Sequence, residues 1–224
     1  TQKDILEKLN LNTPEIFISS FNRKNIHYFI QPKLDARQKL LNYLSKHRED
    51  SGIIYALSRQ SVEDLSKELE SEGFSVKPYH AGLDKEIRDS HQDLFTQDKI
   101  KIIVATIAFG MGIDKSNVRY VIHMDMPKNI ESYYQETGRA GRDGLKSEAI
   151  LFYSQGDVMK LKNFAQIEGN ARQTEILTRK LNQMARFCET KTSCRRKYIL
   201  NYFGESYPDT CGSCDACLTQ YEKA

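Results

Sequence analysis

Between residues 26 and 153 the chain alternates six short β-prone runs with helical stretches, and that alternation restricts the fold more than any other feature. The runs are IHYFI (26–30), GIIYAL (52–57), FSVKPY (74–79), KIIVAT (101–106), RYVIHM (119–124) and EAILFY (148–153). Most are rich in β-branched or aromatic residues and close in polar turns, which marks strands. Several are apolar at successive positions, the pattern of strands covered on both faces of a parallel sheet. Between them, DARQKLLNYLSKHRED sets Leu40, Leu41 and Leu44 on one helical face. SVEDLSKELESEG opens with Ser61 and Asp64 in capping-box spacing and stops at Gly73. DKEIRDSHQDLF starts at Asp84 and carries Ile87, Leu94 and Phe95. The alternation predicts a three-layer α/β domain whose right-handed crossovers gather the loops after the strands on one edge, where ligands bind.

After about residue 155 the character changes to helices (DVMKLKNFAQIE, TEILTRKLNQMARFCE, CRRKYILNYF) and a short cysteine-rich tail. The expected division is therefore an α/β domain over 1–155 and a small helical domain over 156–224. Hydrophobic residues make up 39% of the chain, enough for a buried core and too many for a disordered one. No run of 18 apolar residues occurs, so no membrane partner is expected. The chain starts at Thr1 without a secretory signal, so a piece of a longer intracellular protein is expected, with reduced cysteines. A net charge of +3 is compatible with a polyanionic partner and does not require one.

Cys194, Cys211, Cys214 and Cys217 follow the spacing C-x16-C-x2-C-x2-C. Thiolates two residues apart in tight turns converge on one tetrahedral ion, and a fourth from a neighbouring helix start closes the shell. Four sulfurs leave no open position, so the expected zinc is structural and supplies much of the folding free energy of a short module. An iron–sulfur cluster is the rival, but the usual fourth cysteine three residues on, and the Pro after it, are missing. Cys188 reads as a small buried residue on a helix.

Three further segments carry chemistry. In VATIAFGMGIDKSNVRYVIH (104–123), Gly110 and Gly112 let the backbone approach a ligand, Asp114 can accept from ribose hydroxyls, and Thr106 suits a nucleic-acid phosphate. In ESYYQETGRAGRDG (131–144), Arg139 and Arg142 are three apart and share a face if the turn is helical. Two guanidiniums presented together suit a triphosphate; the bland alternative is a solvated basic turn. In IIYALSRQSVEDL (53–65), Ser58 and Arg59 stand between a strand end and a helix N-terminus, a place that attracts phosphate. His80 in YHAGL (79–83) is expected to fix backbone or touch DNA rather than act as a base.

In this order the segments resemble the second RecA-like lobe of superfamily 2 helicases. QETGRAGRDG, then helices, then CRRKYILNYFGE…CGSCDAC resembles the RecQ family, over essentially the whole chain. The resemblance implies one RecA-like lobe plus a helical zinc-binding subdomain, and ATP-dependent unwinding of DNA with 3′ to 5′ movement. It implies that Arg142 is the arginine finger, Arg139 its phosphate-binding companion, and Gln135 a neighbour of the nucleotide. Gly110 and Asp114 fall in the loop that contacts ATP and couples it to DNA, and the four cysteines match the zinc ligands. The implied partners are DNA, single-stranded and forked, and an N-terminal RecA-like lobe in cis. The implied compartment is the bacterial cytoplasm, at the nucleoid, rather than a nucleus.

No G-x-x-x-x-G-K-[ST] phosphate loop and no D-E-x-H box occur in this sequence. ATP and Mg²⁺ are therefore expected to need the other lobe, and this chain alone is expected not to turn over. A DEAD-box-like RNA helicase is the rival reading. Its last motif opens with His-Arg and runs through Ile-Gly-Arg, whereas this chain has Gln135-Glu136-Thr137-Gly138-Arg139. A stand-alone zinc-containing nucleic-acid-binding protein is the other rival, and it leaves Arg139 and Arg142 without a purpose.

Overall fold

Ile53 and Tyr55 face one side of their strand, Ile54 and Ala56 the other, and all four are buried, so the sheet is covered on both faces. The computed structural model describes residues 2–9, 15–17, 19–107, 109, 114–167, 169–208 and 210–221. Among them the strands are β1 (Ile26–Pro32), β2 (Ser51–Tyr55), β3 (Val76–Tyr79), β4 (Ile102–Ala105), β5 (Val118–His123) and β6 (Ser147–Tyr153). The helices are α1 (Gln2–Leu9), α2 (Ala36–Lys46), α3 (Arg59–Ser71), α4 (Lys85–Thr96), α5 (Ile130–Thr137), α6 (Gln155–Ala165), α7 (Ala171–Glu189), α8 (Arg195–Tyr202) and α9 (Asp215–Tyr221). The strands form one parallel sheet in the order β1-β6-β5-β2-β4-β3. This is the expected RecA-like three-layer domain, followed by a helical region. No helix among the described residues is long and apolar enough to cross a membrane.

Leu40 and Leu44 of α2 and Val62, Leu65 and Leu69 of α3 cover one face, over Ile54, Val104, Ile122 and Ile150. The opposite face carries Phe95 of α4, Phe109, and Ile130 and Tyr133 of α5. The same core continues into Leu181, Met184 and Phe187 of α7, Ile199 of α8, and Cys194, Cys214 and Cys217. Between β4 and β5 the described residues of 106–117 include no helix.

The start of α3 corrects the sequence reading. The helix begins at Arg59, and the cap is Ser58, whose Oγ accepts from Ser61 N at 3.0 Å; Ser61 lies inside the first turn. Ser58 is extended, with φ −119° and ψ 156°, as an N-cap residue must be, and it comes straight off β2. At the other end Gly73, at φ +79°, closes the helix as expected.

Two buried arginines bind the helical region to the edge strand β1. Arg195 donates to Asp215 through Nε (2.8 Å) and Nη2 (3.0 Å), and Asp215 Oδ2 also accepts from Ile30 N at 3.1 Å. Arg196 donates to the carbonyls of Arg23, Lys24 (3.2 Å) and Ile26 (2.7 Å) and to Asn22 Oδ1 at 3.0 Å. Phe21 stacks on Phe203 at 4.7 Å, and Glu205 accepts from Phe21 N and Ser20 Oγ, each at 2.6 Å. Residues 20–24 are thus held by Arg196 of α8 and by Phe203 and Glu205 just after it, before β1 begins.

Candidate functional site

Cys194 precedes α8, while Cys211, Cys214 and Cys217 lie on the turn into α9 and in that helix. Their four sulfurs lie within 4.8 Å of one another, with Cys211 and Cys217 at 3.9 Å. Tetrahedral Zn–S bonds of about 2.3 Å require sulfurs about 3.8 Å apart, so the donor set fits zinc in type and spacing. Backbone amides of Arg195 and Cys211 point at Cys214 Sγ and Cys217 Sγ, each at 3.4 Å, which favours thiolate. Cys188 is buried in α7 outside this cluster, and burial pushes its thiol up.

The second arginine-bearing segment departs from the sequence reading. Asn129 caps α5, its Oδ1 accepting from Ser132 N at 2.7 Å, and the helix ends at Thr137. Arg139 and Arg142 do not share a helical face: Gly141 takes φ +57°, Arg139 is buried, and Arg142 is exposed. A Cβ at residue 141 would lie 2.3 Å from Asn25 Nδ2 and 2.7 Å from the Leu145 carbonyl, so glycine is required there. The loop is pinned through its backbone. Arg23 donates to the carbonyls of Gly138 (2.9 Å), Ala140 (2.8 Å) and Gly141 (2.9 Å), and Gly141 N to Val118 O at 2.8 Å. On this frame Arg142 Nη1 lies 3.2 Å from Asp114 Oδ1, whose side chain is 94% exposed. Gln135 is exposed on α5. Gly110, with Gly112, lies outside the described residues.

Ser58, Arg59, Thr106 and His80 leave the ends of β2, β4 and β3, three neighbours in the sheet, and so share one edge. Ser58 and Arg59 are exposed, and the Arg59 side chain lies over Gly82, where an added Cβ would meet it at 2.9 Å. His80 is buried. Its Nδ1 accepts from Gly82 N at 3.1 Å, so Nε2 carries the hydrogen and donates to Glu63 at 2.9 Å. The ring fixes the turn after β3, and both of its nitrogens are occupied within the chain.

Sequence reasoning missed two clusters. Lys33 Nζ contacts Asp125 Oδ1 and Asp157 Oδ1, each at 2.6 Å, and Asp125 Oδ2 accepts from Leu57 N at 2.9 Å. Burial alone would lower the Lys33 pKa, but these bonds outweigh it and hold the ammonium above its ordinary value. The other cluster is Tyr55, His123 and Glu136 beneath the arginine loop. A histidine closing an otherwise apolar strand was its only signal.

Residues 33–144 match the family described as Helicase conserved C-terminal domain, and residues 155–218 the one described as RecQ zinc-binding. The chain is similar to the ATP-dependent DNA helicase RecQ of Pasteurella multocida (strain Pm70), 46% identical over 218 residues, covering 97% of this chain and 34% of that protein. To the RecQ-like DNA helicase BLM of Xenopus laevis it is 45% identical over 230 residues, covering 97% of this chain and 17% of that protein. To the ATP-dependent DNA helicase RecQ of Bacillus subtilis (strain 168) it is 38% identical over 215 residues, covering 96% and 36%. The chain thus spans little more than a third of these bacterial relatives at most, and less of the longer one. With a parallel RecA-like sheet, the arginine loop and a four-sulfur cluster joined in this order, the chain belongs to the RecQ family of helicases, spanning its C-terminal helicase domain and its zinc-binding module.

Proposed function

We propose that this chain is the C-terminal half of the motor core of an ATP-dependent DNA helicase that moves 3′ to 5′, working with an N-terminal RecA-like lobe in cis. Residues 1–155 form the second lobe and 156–224 the zinc-binding subdomain, whose four cysteines hold a structural zinc that staples α8 to α9. The observation that carries the reading is the arginine loop. Arg142 stands at the surface on a backbone pinned to β5 and to Arg23, next to the far more exposed Asp114. A guanidinium presented from a pinned backbone suits stabilising charge on a transferring phosphoryl group, because the loop that carries it is already in place. Arg142 is the arginine finger, Arg139 the group that shapes the phosphate site behind it, and Gln135 the neighbour on α5; Asp114 accepts from the ribose. ATP and Mg²⁺ sit between the two lobes, with the phosphate loop on the other one.

The relatives described above are named as DNA helicases, which favours DNA over RNA. Ser58, Arg59 and Thr106 line part of the single-strand track at one sheet edge, with His80 holding the Gly82 turn beneath Arg59. A forked duplex is the substrate, at the bacterial nucleoid. Arg142→Ala in the full-length protein tests this reading. DNA-stimulated ATP hydrolysis should fall by roughly a thousand-fold while ATP binding changes far less. Turnover that survives within a few fold removes the finger assignment. Equal stimulation by RNA of matched length moves the protein to the RNA-remodelling class, and ATPase activity in this chain alone refutes the need for a second lobe.

A further inference from the structure

Four groups stand after four neighbouring strands of the sheet, and they form one chain of polar contacts along its carboxyl edge. Lys33 follows β1, Asp157 lies in the first turn of the helix after β6, Asp125 follows β5, and Leu57 follows β2. Lys33 Nζ lies 2.6 Å from both Asp157 Oδ1 and Asp125 Oδ1, and Asp125 Oδ2 accepts from Leu57 N at 2.9 Å. Asp157 is itself fixed, because its Oδ2 accepts from Ser154 N at 3.2 Å in the capping box of α6. The side chains of Lys33, Asp125 and Asp157 are 25%, 18% and 4% exposed, so solvent screens these contacts little.

The last of these contacts decides where the chain goes after β2. Ala56 N still donates to Ala105 O of the neighbouring strand at 2.9 Å, whereas Leu57 N turns to a side chain, that of Asp125. The next residue, Ser58, caps α3, and Arg59 opens that helix. One ammonium between two carboxylates leaves a net negative charge at an edge read as the track of a polyanion. Charge alone works against strand binding there, so attraction is not what the cluster supplies. We propose that Asp125 is a positioning residue for single-stranded DNA: its carboxylate holds the Leu57 amide and so aims Ser58 and Arg59 at the strand. Lys33 ties that aim to the first turn of α6, at the start of the zinc-binding region. This inference rests on the reading of Ser58 and Arg59 as part of the single-strand track.

The test is the dissociation constant of the full-length protein for single-stranded DNA, read by fluorescence anisotropy without nucleotide at several salt concentrations. Wild type is compared with Asp125→Ala, Asp125→Asn and Arg59→Ala, each well below its melting temperature. Both Asp125 variants remove the same negative charge, so attraction alone would tighten binding in both. Positioning predicts the opposite. Asp125→Ala should bind roughly ten-fold more weakly, as for loss of one charge-assisted hydrogen bond. Asp125→Asn keeps an acceptor for Leu57 N and should lose only about three-fold. The slope of log Kd against log salt should match wild type in both, because no phosphate contact is lost, and should fall by about one in Arg59→Ala. Asp125→Ala that binds as tightly as wild type, or more tightly, overturns the proposal. Should that variant fail to fold, Asp125→Asn with a Kd at or below the wild-type value overturns it instead. Weakened binding in Arg59→Ala beside wild-type binding in Asp125→Ala sinks this inference and leaves the track standing. Wild-type binding by Arg59→Ala sinks both.

Discussion

Arg195 grips Asp215 side-on, Nε to Oδ1 at 2.8 Å and Nη2 to Oδ2 at 3.0 Å, and its third nitrogen donates to the Phe187 carbonyl at 2.5 Å. The pair joins the residue after Cys194 to the residue after Cys214, two of the four clustered cysteines. Through Ile30 N it also ties both to the edge of the sheet. Breaking a buried pair strands the remaining charge, so Asp215→Ala should cost about 3 kcal/mol, read as a lower urea midpoint. An unchanged midpoint would mean that Arg195 finds another acceptor at no cost. Arg195→Lys should recover little, since an ammonium cannot make the two parallel bonds.

Gly52 of β2 lies beneath the Tyr120 ring of β5, its partner in register. A Cβ at residue 52 would sit 1.8 Å from Tyr120 Cε2. Tyr120 is fully buried and meets Tyr43 edge-on at 5.4 Å, so the ring cannot swing aside. Gly52→Ala should therefore destabilise by about 2–3 kcal/mol despite adding a single methyl group. A thermal melt within a degree of wild type would show that the sheet opens to admit it.

Removing one cysteine of the cluster tests for the metal directly. Cys214→Ser should lower bound zinc well below one ion per chain and depress the melting temperature, because metal affinity and folding of so short a module are coupled. Elemental analysis with a thermal melt decides it. Full zinc occupancy and an unmoved melt would argue against a structural tetrathiolate.

Asp98 sits at φ +60° and accepts from the buried Lys115 at 2.7 Å, a bond that chiefly holds its carboxyl below the ordinary value of 3.8. A depressed folded pKa gives stability that is full above the ordinary value and lost as pH falls through the lower folded one. Asp98→Asn, which tolerates the same backbone, should thus be less stable than wild type at neutral pH. The gap should close as pH falls below the ordinary value and through the lower folded one, and it should be small because Asp98 is partly exposed. Urea midpoints at the two pH values check the sign; a gap that widens on acidification contradicts it.

Asp114, almost wholly exposed beside Arg142, should matter to nucleotide and hardly to folding. In the full-length protein Asp114→Asn should leave the melting temperature within about 1 °C of wild type. KM for ATP should rise roughly five-fold with kcat little changed, the mark of a contact equal in ground and transition states. A change in kcat alone would reassign Asp114 to the arginine rather than the ribose.

Much of the architecture was legible because the relevant signals are local. Six apolar runs, each too short for a helix and polar at its ends, specify strands covered on both faces wherever they pair. Two C-x2-C steps bring three sulfurs together by turn geometry, and the sulfurs do converge. Local rules failed where the outcome depends on distant partners. Ser58, rather than Ser61, caps α3, because the direction of β2 decides where the helix starts. Arg139 and Arg142 are three apart in sequence yet part company, since Gly141 must fit against Asn25 and Leu145. Arg195 and Arg196 look like a surface pair in CRRKYIL, yet both are buried by carbonyls and carboxylates up to 174 residues away. The sequence by itself determined which segments are strands, where the chain turns to helices, and which four cysteines can share an ion. Tertiary structure alone decided that Tyr55, His123 and Glu136 meet, because side-chain periodicity reports the face a residue prefers and carries no record of what the folded chain brings against that face.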